Sequence, residues 1–251
     1  MGKGWVIDLD GVVWLLDDPI PGSVEAINAL LDAGEAVTFA TNNSSLTQDE
    51  YRAKLSKFAI RAEGTTVVTS SMAAASLLKE GSSVYVVGAS GIYPSLEERG
   101  IEARDSSEVD AVVVGWDREI TYGKIARAAR AIHNGAKFIA TNLDPTYPTP
   151  QGLLPGAGSI VAAIATAGLA KPIVAGKPGQ AMADLLVQMV GTPRFMVGDR
   201  IDTDGAFAAS LGCDFAMVLS GVSTVDEIDE IVPAVIAADL GELVRNEIGT
   251  V

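Results

Sequence analysis

The stretch Trp5-Val6-Ile7-Asp8-Leu9-Asp10-Gly11 sets a strand-like apolar run against two carboxylates one residue apart and then a glycine. Carboxylates are almost never fully buried unless something compensates them. Other apolar runs end the same way. Residues 37–40 (VTFA) lead into Thr41-Asn42-Asn43-Ser44-Ser45, residues 172–176 (PIVAG) lead to Lys177, and residues 194–198 (RFMVG) lead to Asp199. Further runs stand at 84–88, 111–115, 138–141 and 215–219, and segments of helical period fill 23–34, 48–58, 72–81, 122–135 and 179–191. This alternation predicts an α/β fold with parallel sheets. Right-handed crossovers then put every strand's C-terminal end on one edge, where ligands bind. Asp8, Asp10, Thr41 with the amides after it, Lys177 and Asp199 are expected to converge there.

At 251 residues, 48% of them hydrophobic, the chain can fill a real core. Its formal net charge of −14 argues against nucleic acid and anionic membrane, which call for clustered Lys and Arg, and leaves a small ligand as the expected partner. The one cysteine, Cys213, permits no internal disulfide, and no apolar leader precedes the strand at Trp5, so the expected compartment is a reducing cytoplasm. Residues 156–170 are weakly polar but fall short of the roughly 20 residues a membrane span needs, and they read as a buried helix. The sole histidine, His133, lies in a helical segment before Gly135, which leaves a Ser–His or Cys–His mechanism without a base. Cys213 reads as a small buried hydrophobe before a strand. Composition shifts near residues 80–83 and 169–172 bracket an insertion, residues 82–171, within a first domain made of residues 1–81 and 172–251.

Carboxylates, a hydroxyl with amides, and a lysine suit a phosphoryl group and a hard cation. Two or three carboxylates cannot share a cleft as anions without a counter-charge, and Mg²⁺ is the usual one. One aspartate would attack phosphorus while the other passes a proton to the leaving oxygen. A calcium loop does not fit, because Gly11 would stand at loop position 4 and Pro19 at position 12. Taken singly, Lys177 reads as a surface lysine, TNNSS as a polar loop ahead of a helix capped by Thr47, and Asp199 and Asp204 as helix caps.

Their order carries more. D-x-D-G (Asp8, Asp10, Gly11), Thr41, Lys177 and G-D-R-I-D-T-D (198–204) together resemble the haloacid dehalogenase-like (HAD) phosphatases. TNNSS at 41–45, Tyr122 after GWDREIT, ATNLDPTYPT at 140–149, PGAGS at 155–159 and GKP at 176–178 resemble its NagD-like, p-nitrophenyl phosphatase and phosphoglycolate phosphatase branch. The resemblance implies a Rossmann-like, doubly wound parallel-sheet core with an inserted α/β cap that closes over the substrate. It implies Asp8 as nucleophile forming an aspartyl-phosphate and Asp10 as general acid, then base. Mg²⁺ would be held by Asp8, the Asp10 carbonyl and Asp199, with Asp204 orienting metal waters. Thr41, Asn42, Asn43 and Lys177 would hold the phosphoryl group.

In the cap, residues 144–148 read either as a proline-fixed turn or as a specificity loop, with Asn142, Asp144 and Tyr147 the side chains nearest substrate. Asp10 argues for ester hydrolysis over dehalogenation or ion transport, and Asp202 is an added carboxylate without a role. The implied reaction is Mg²⁺-dependent hydrolysis of small phosphate monoesters such as nucleotides, sugar phosphates, phosphoglycolate, glycerol phosphate or p-nitrophenyl phosphate. Transfer to an acceptor other than water, and non-catalytic binding of a phospho-ligand on the same fold, are the alternatives. The branch leaves a homodimer through the cap open.

Overall fold

A computed structural model describes residues 4–149 and 152–249. The opening run forms β1 (Trp5–Ile7), buried at every position, as an apolar strand covered on both faces must be. A short hairpin of β2 (Trp14–Leu15) and β3 (Asp18–Pro19) follows, then α1 (Ser23–Asp32), β4 (Val37–Thr41), α2 (Gln48–Lys57) and β5 (Thr65–Thr69). Next come α3 (Ser70–Ser76), β6 (Ser83–Val87), α4 (Ile92–Glu97), β7 (Glu102–Ala103), β8 (Ala111–Val114), α5 (Tyr122–His133) and β9 (Lys137–Ala140). A hairpin of β10 (Thr146–Thr149) and β11 (Gly152–Pro155) leads to α6 (Ala157–Gly168) and β12 (Ile173–Val174). The chain finishes with α7 (Gln180–Val190), β13 (Phe195–Gly198), α8 (Ala206–Leu211), β14 (Asp214–Val218), β15 (Val235–Ala237) and α9 (Leu240–Ile248).

The chain divides into two compact units. The first holds the residues up to Thr41, Asp49–Val68 and those from Lys177 onward; the second holds Asn42–Gln48 and Thr69–Gly176. The second unit therefore takes in α3, which packs against α4, and Asn42–Gln48, neither of which the composition shift at residues 80–83 marks.

In the first unit the sheet order is β15-β14-β13-β1-β4-β5. From β1 the chain steps outward through β4 and β5, and later returns to β13 on β1's other side and steps away through β14 and β15. That reversal makes the β1/β13 boundary the switch point of a doubly wound sheet, the place where such sheets bind ligands. The pairing is parallel on both flanks of β1, with Ile7 opposite Val197 and Phe39. The three strands end level, so Asp8, Thr41 and Asp199 leave the sheet at one edge.

The second unit has its own parallel sheet, ordered β12-β9-β8-β6-β7. Central β8 is buried along its whole length, and Val112 and Val114 pack with Ala128 and Ile132 of α5 and Ile160 and Ile164 of α6. Helix α5 starts where the Thr121 side chain accepts the Lys124 N–H at 3.2 Å.

Two expectations change here. Residues 156–170 form an amphipathic helix, not a buried one: Ala157, Ile160, Val161, Ile164 and Gly168 face the core while Ala162 and Thr166 are exposed, the i, i+3, i+4, i+7 pattern of a surface helix. Residues 144–148 are not a turn alone, because Thr146 and Tyr147 enter β10 and pair with Pro155 and Leu154. Prolines suit this two-stranded ribbon because both of its strands are edges. The packing of α6 predicts that Ile164→Ala costs about 2–5 kcal/mol in urea unfolding, against about 0.5 kcal/mol or less for Thr166→Ala on the same helix.

Candidate active site

Asp8 follows β1, and its backbone N–H donates to Val197 O of β13 at 2.9 Å, which ties the strand ends together. Its carboxylate meets Lys177, whose Nζ donates to Asp8 Oδ1 and to Asp204 Oδ1, both at 2.6 Å. Asp204 sits on a single π-helical turn, Ile201–Gly205, after β13, and its Oδ2 accepts the Arg200 N–H at 3.2 Å. Asp199, fully buried, accepts the Val222 N–H on Oδ2 at 2.7 Å, while its Oδ1 is buried without a hydrogen-bond partner. One oxygen from each of Asp8, Asp199 and Asp204 lies within 4.8 Å of the others.

The electrostatics follow from this crowding. Burial pushes the Asp8 carboxyl well above the usual carboxylate range; Lys177 pulls against it, and Asp204 and Asp199 add to it. Burial, and next the Asp204 charge, push Asp199 up to about 6 against the Val222 N–H. Burial would lower the Lys177 ammonium, yet Asp204 and Asp8 outweigh it and raise it. Three buried carboxylates thus face one buried ammonium. A divalent cation fits this set: it supplies the missing positive charge and meets the orphaned Asp199 oxygen, with hard oxygen ligands of the kind Mg²⁺ or Ca²⁺ takes.

Residues 5–102 match the family of haloacid dehalogenase-like hydrolases, and residues 174–243 match a second HAD-hydrolase-like family. The acid sugar phosphatase of Staphylococcus saprophyticus is 34% identical over 251 residues, covering 97% of each chain. This chain belongs to the haloacid dehalogenase-like hydrolases. It falls on their NagD-like phosphatase branch. The p-nitrophenyl phosphatase from Archaeoglobus fulgidus superposes with a TM-score of 0.89 at 29% identity, covering 98% of this chain and 99% of that one. The glycerol phosphate phosphatase of Mycobacterium tuberculosis, crystallised with magnesium, is 37% identical with a TM-score of 0.87, covering 96% of this chain and 76% of that one.

Within this HAD-like core, Asp8, Lys177, Asp199 and Asp204 come together, and Thr41 is buried at the end of neighbouring β4. Asp10 lies two residues beyond Asp8, where the Trp14 indole N–H donates to its Oδ1 at 3.1 Å. The cap-side residues form a cluster inside the second unit. Asn142 Nδ2 donates to Asn42 O at 2.8 Å, Asn142 Oδ1 accepts the Asp144 N–H at 3.0 Å, and Asn42 Nδ2 reaches Asp144 Oδ2 at 3.4 Å. Asn43 and Tyr147 do not join it through these bonds. Asn43 Oδ1 accepts the Ser45 N–H in a local turn, and the Tyr147 ring packs on Trp116 with centroids 4.7 Å apart. Exposed Asp202 pairs with Arg200 at 3.1 Å. His133 is exposed at the end of α5, and half-buried Cys213 has its thiol pushed up to about 11 by burial.

Sequence reasoning missed Trp14 and the loop Ser220-Gly221-Val222-Ser223 after β14. The loop wraps Asp199: Val222 donates to its side chain, Ser223 N donates to its carbonyl at 3.0 Å, and Ser220 Oγ donates to Gly11 O at 2.7 Å. Its signal was a run of small residues after a strand that ends at the same edge. Gly11 has φ +98° and Gly221 none of that strain, but a Cβ would come within 2.5 Å of Asp199 Oδ2 at the first and 1.9 Å at the second.

Lys177→Met, which strips the buried carboxylates of their ammonium, is expected to cost about 3–5 kcal/mol in urea unfolding. Gly221→Ala should weaken divalent-metal binding by about 10–100-fold in calorimetric titration, and unchanged affinity would show that the loop does not hold Asp199.

Proposed function

We propose that this chain is a Mg²⁺-dependent phosphatase that hydrolyses small-molecule phosphate monoesters through an aspartyl-phosphate on Asp8. The observation that carries the reading is the buried charge imbalance of Asp8, Asp199 and Asp204 against Lys177, with Asp199 Oδ1 left unpartnered. Asp8, Asp199 and the Asp10 carbonyl would hold the cation, with Asp204 fixed beside them by Lys177. Bound there, a divalent ion neutralises the carboxylates and the charge on the phosphoryl oxygens.

A carboxylate oxygen of Asp8 forms the new bond to phosphorus as the ester P–O bond breaks, and the proton on Asp10 passes to the departing oxygen. Asp10, now ionised, takes a proton from the water that attacks the aspartyl-phosphate, which regenerates the Asp8 carboxylate and frees inorganic phosphate. Lys177 offsets the charge of Asp8 while that carboxylate approaches an anionic ester. Thr41 and the amides of Asn42 and Asn43 donate to the phosphoryl oxygens.

The second unit serves as the substrate-selecting cap through Asn142, Asp144 and Tyr147. The names of the relatives point to sugar phosphates, glycerol phosphate and p-nitrophenyl phosphate as the class to try. Among the described residues no helix is long and apolar enough to cross a membrane, and the single cysteine suits a reducing cytoplasm.

Asp8→Asn is expected to abolish phosphate release from p-nitrophenyl phosphate while keeping the wild-type melting transition, and EDTA to silence the native enzyme until Mg²⁺ is returned. Wild-type turnover by the variant, or full activity in EDTA, would overturn the reading. A panel of metabolite phosphates ranked by kcat/KM identifies the substrate class, and Tyr147→Ala should reorder that ranking.

A further inference from the structure

Asp10 is gripped by a residue that no step above employs. The Trp14 Nε1–H donates to Asp10 Oδ1 at 3.1 Å, and the backbone fixes the two side chains relative to each other. Gly11 N donates to Trp14 O at 2.8 Å, Val13 N donates to Leu9 O at 2.9 Å, and Asp10 and Trp14 form an isolated β-bridge. The indole itself is locked. Trp14 is 1% exposed, its ring packs on Phe58 at 5.7 Å, and the Lys54 ammonium sits 4.4 Å over its face. Lys54 is in turn held by the Leu16 carbonyl and by Asp17 at 3.7 Å. A cation on the ring face draws electron density from the indole and makes its N–H a stronger donor.

We propose that Trp14 is a positioning residue for Asp10, fixing which carboxyl oxygen carries the transferred proton. An oxygen that accepts an N–H bond is the carbonyl oxygen of the acid form, so Oδ1 accepts from Trp14 and the proton rides on Oδ2. It leaves Oδ2 for the departing ester oxygen and returns there from water. The indole N–H is thus a fixed donor that distinguishes Oδ1 from Oδ2.

The inference rests on the acid–base role proposed for Asp10, and the test separates the two. An alkyl phosphate such as glycerol phosphate needs its leaving oxygen protonated, whereas p-nitrophenolate leaves readily without a proton. Trp14→Phe keeps an aromatic ring beside Phe58 and Lys54 but removes the N–H. It should lower kcat/KM for glycerol phosphate by about 10-fold or more and for p-nitrophenyl phosphate by about twofold or less. If Trp14→Phe does not fold, site-specific benzothienylalanine at position 14, with sulfur in place of N–H in a ring of nearly equal volume, gives the same readout. Equal loss on both substrates, or none, would reduce Trp14 to a packing residue. Asp10→Asn serves as the reference: if it leaves the ratio of the two substrates unchanged, the role of Asp10 itself fails; if it shifts the ratio and deletion of the N–H does not, the Trp14 assignment fails.

Discussion

A single ammonium makes this sheet edge tenable. Lys177 donates to Asp8, at the end of β1, and to Asp204, just past β13, and so bridges the two strands at the point where the strand order reverses. Buried carboxylates repel one another and resist losing water, so without that bridge the edge would open or its acids would take up protons. With it, the first unit can bury Asp199 as well. The lysine offsets only part of the negative charge, and the shortfall is what gives the site its appetite for a cation.

The backbone also holds Asp199 and Asp204. Val222 and Ser223 donate to Asp199 from the loop after β14, Arg200 donates to Asp204 within its π turn, and glycines at 11 and 221 let the backbone come close to the Asp199 carboxylate. Amide donors of this kind do not reorganise as charge develops, which is the property a phosphoryl-transfer site needs. In the second unit Asn142 bonds to the Asn42 carbonyl and the Asp144 N–H, Asn42 reaches Asp144, and Tyr147 packs on Trp116.

Much of this was legible in the amino-acid order because parallel α/β topology converts strand ends into neighbours. Asp8, Thr41 and Asp199 stand at the ends of neighbouring strands of one sheet, as that topology requires, whereas the run before Lys177 forms β12 beside β9 in the second unit's sheet, so the lysine meets Asp8 by another route. What escaped the sequence lacks such a signature. The Trp14 indole is read from a sequence as one more core aromatic, and its bond to Asp10 depends on how the turn after Asp10 closes. Val222 acts through its N–H, which every residue but proline possesses. The β10/β11 ribbon was hidden by its prolines, which speak against a strand unless both strands are edges. Helix α6 was misjudged because its exposed face is alanine and threonine, too weakly polar to show the stripe.

The path of the chain adds a constraint of another kind. It crosses between the two units four times, after Thr41, Gln48, Val68 and Gly176. What lies between the first and the last crossing therefore includes α2 and most of β5 of the first unit as well as the second unit itself. Exchanging that stretch whole would strip the first sheet of its edge strand β5. An evolving lineage, or an engineer, is consequently better served by changes inside the second unit than by replacing it.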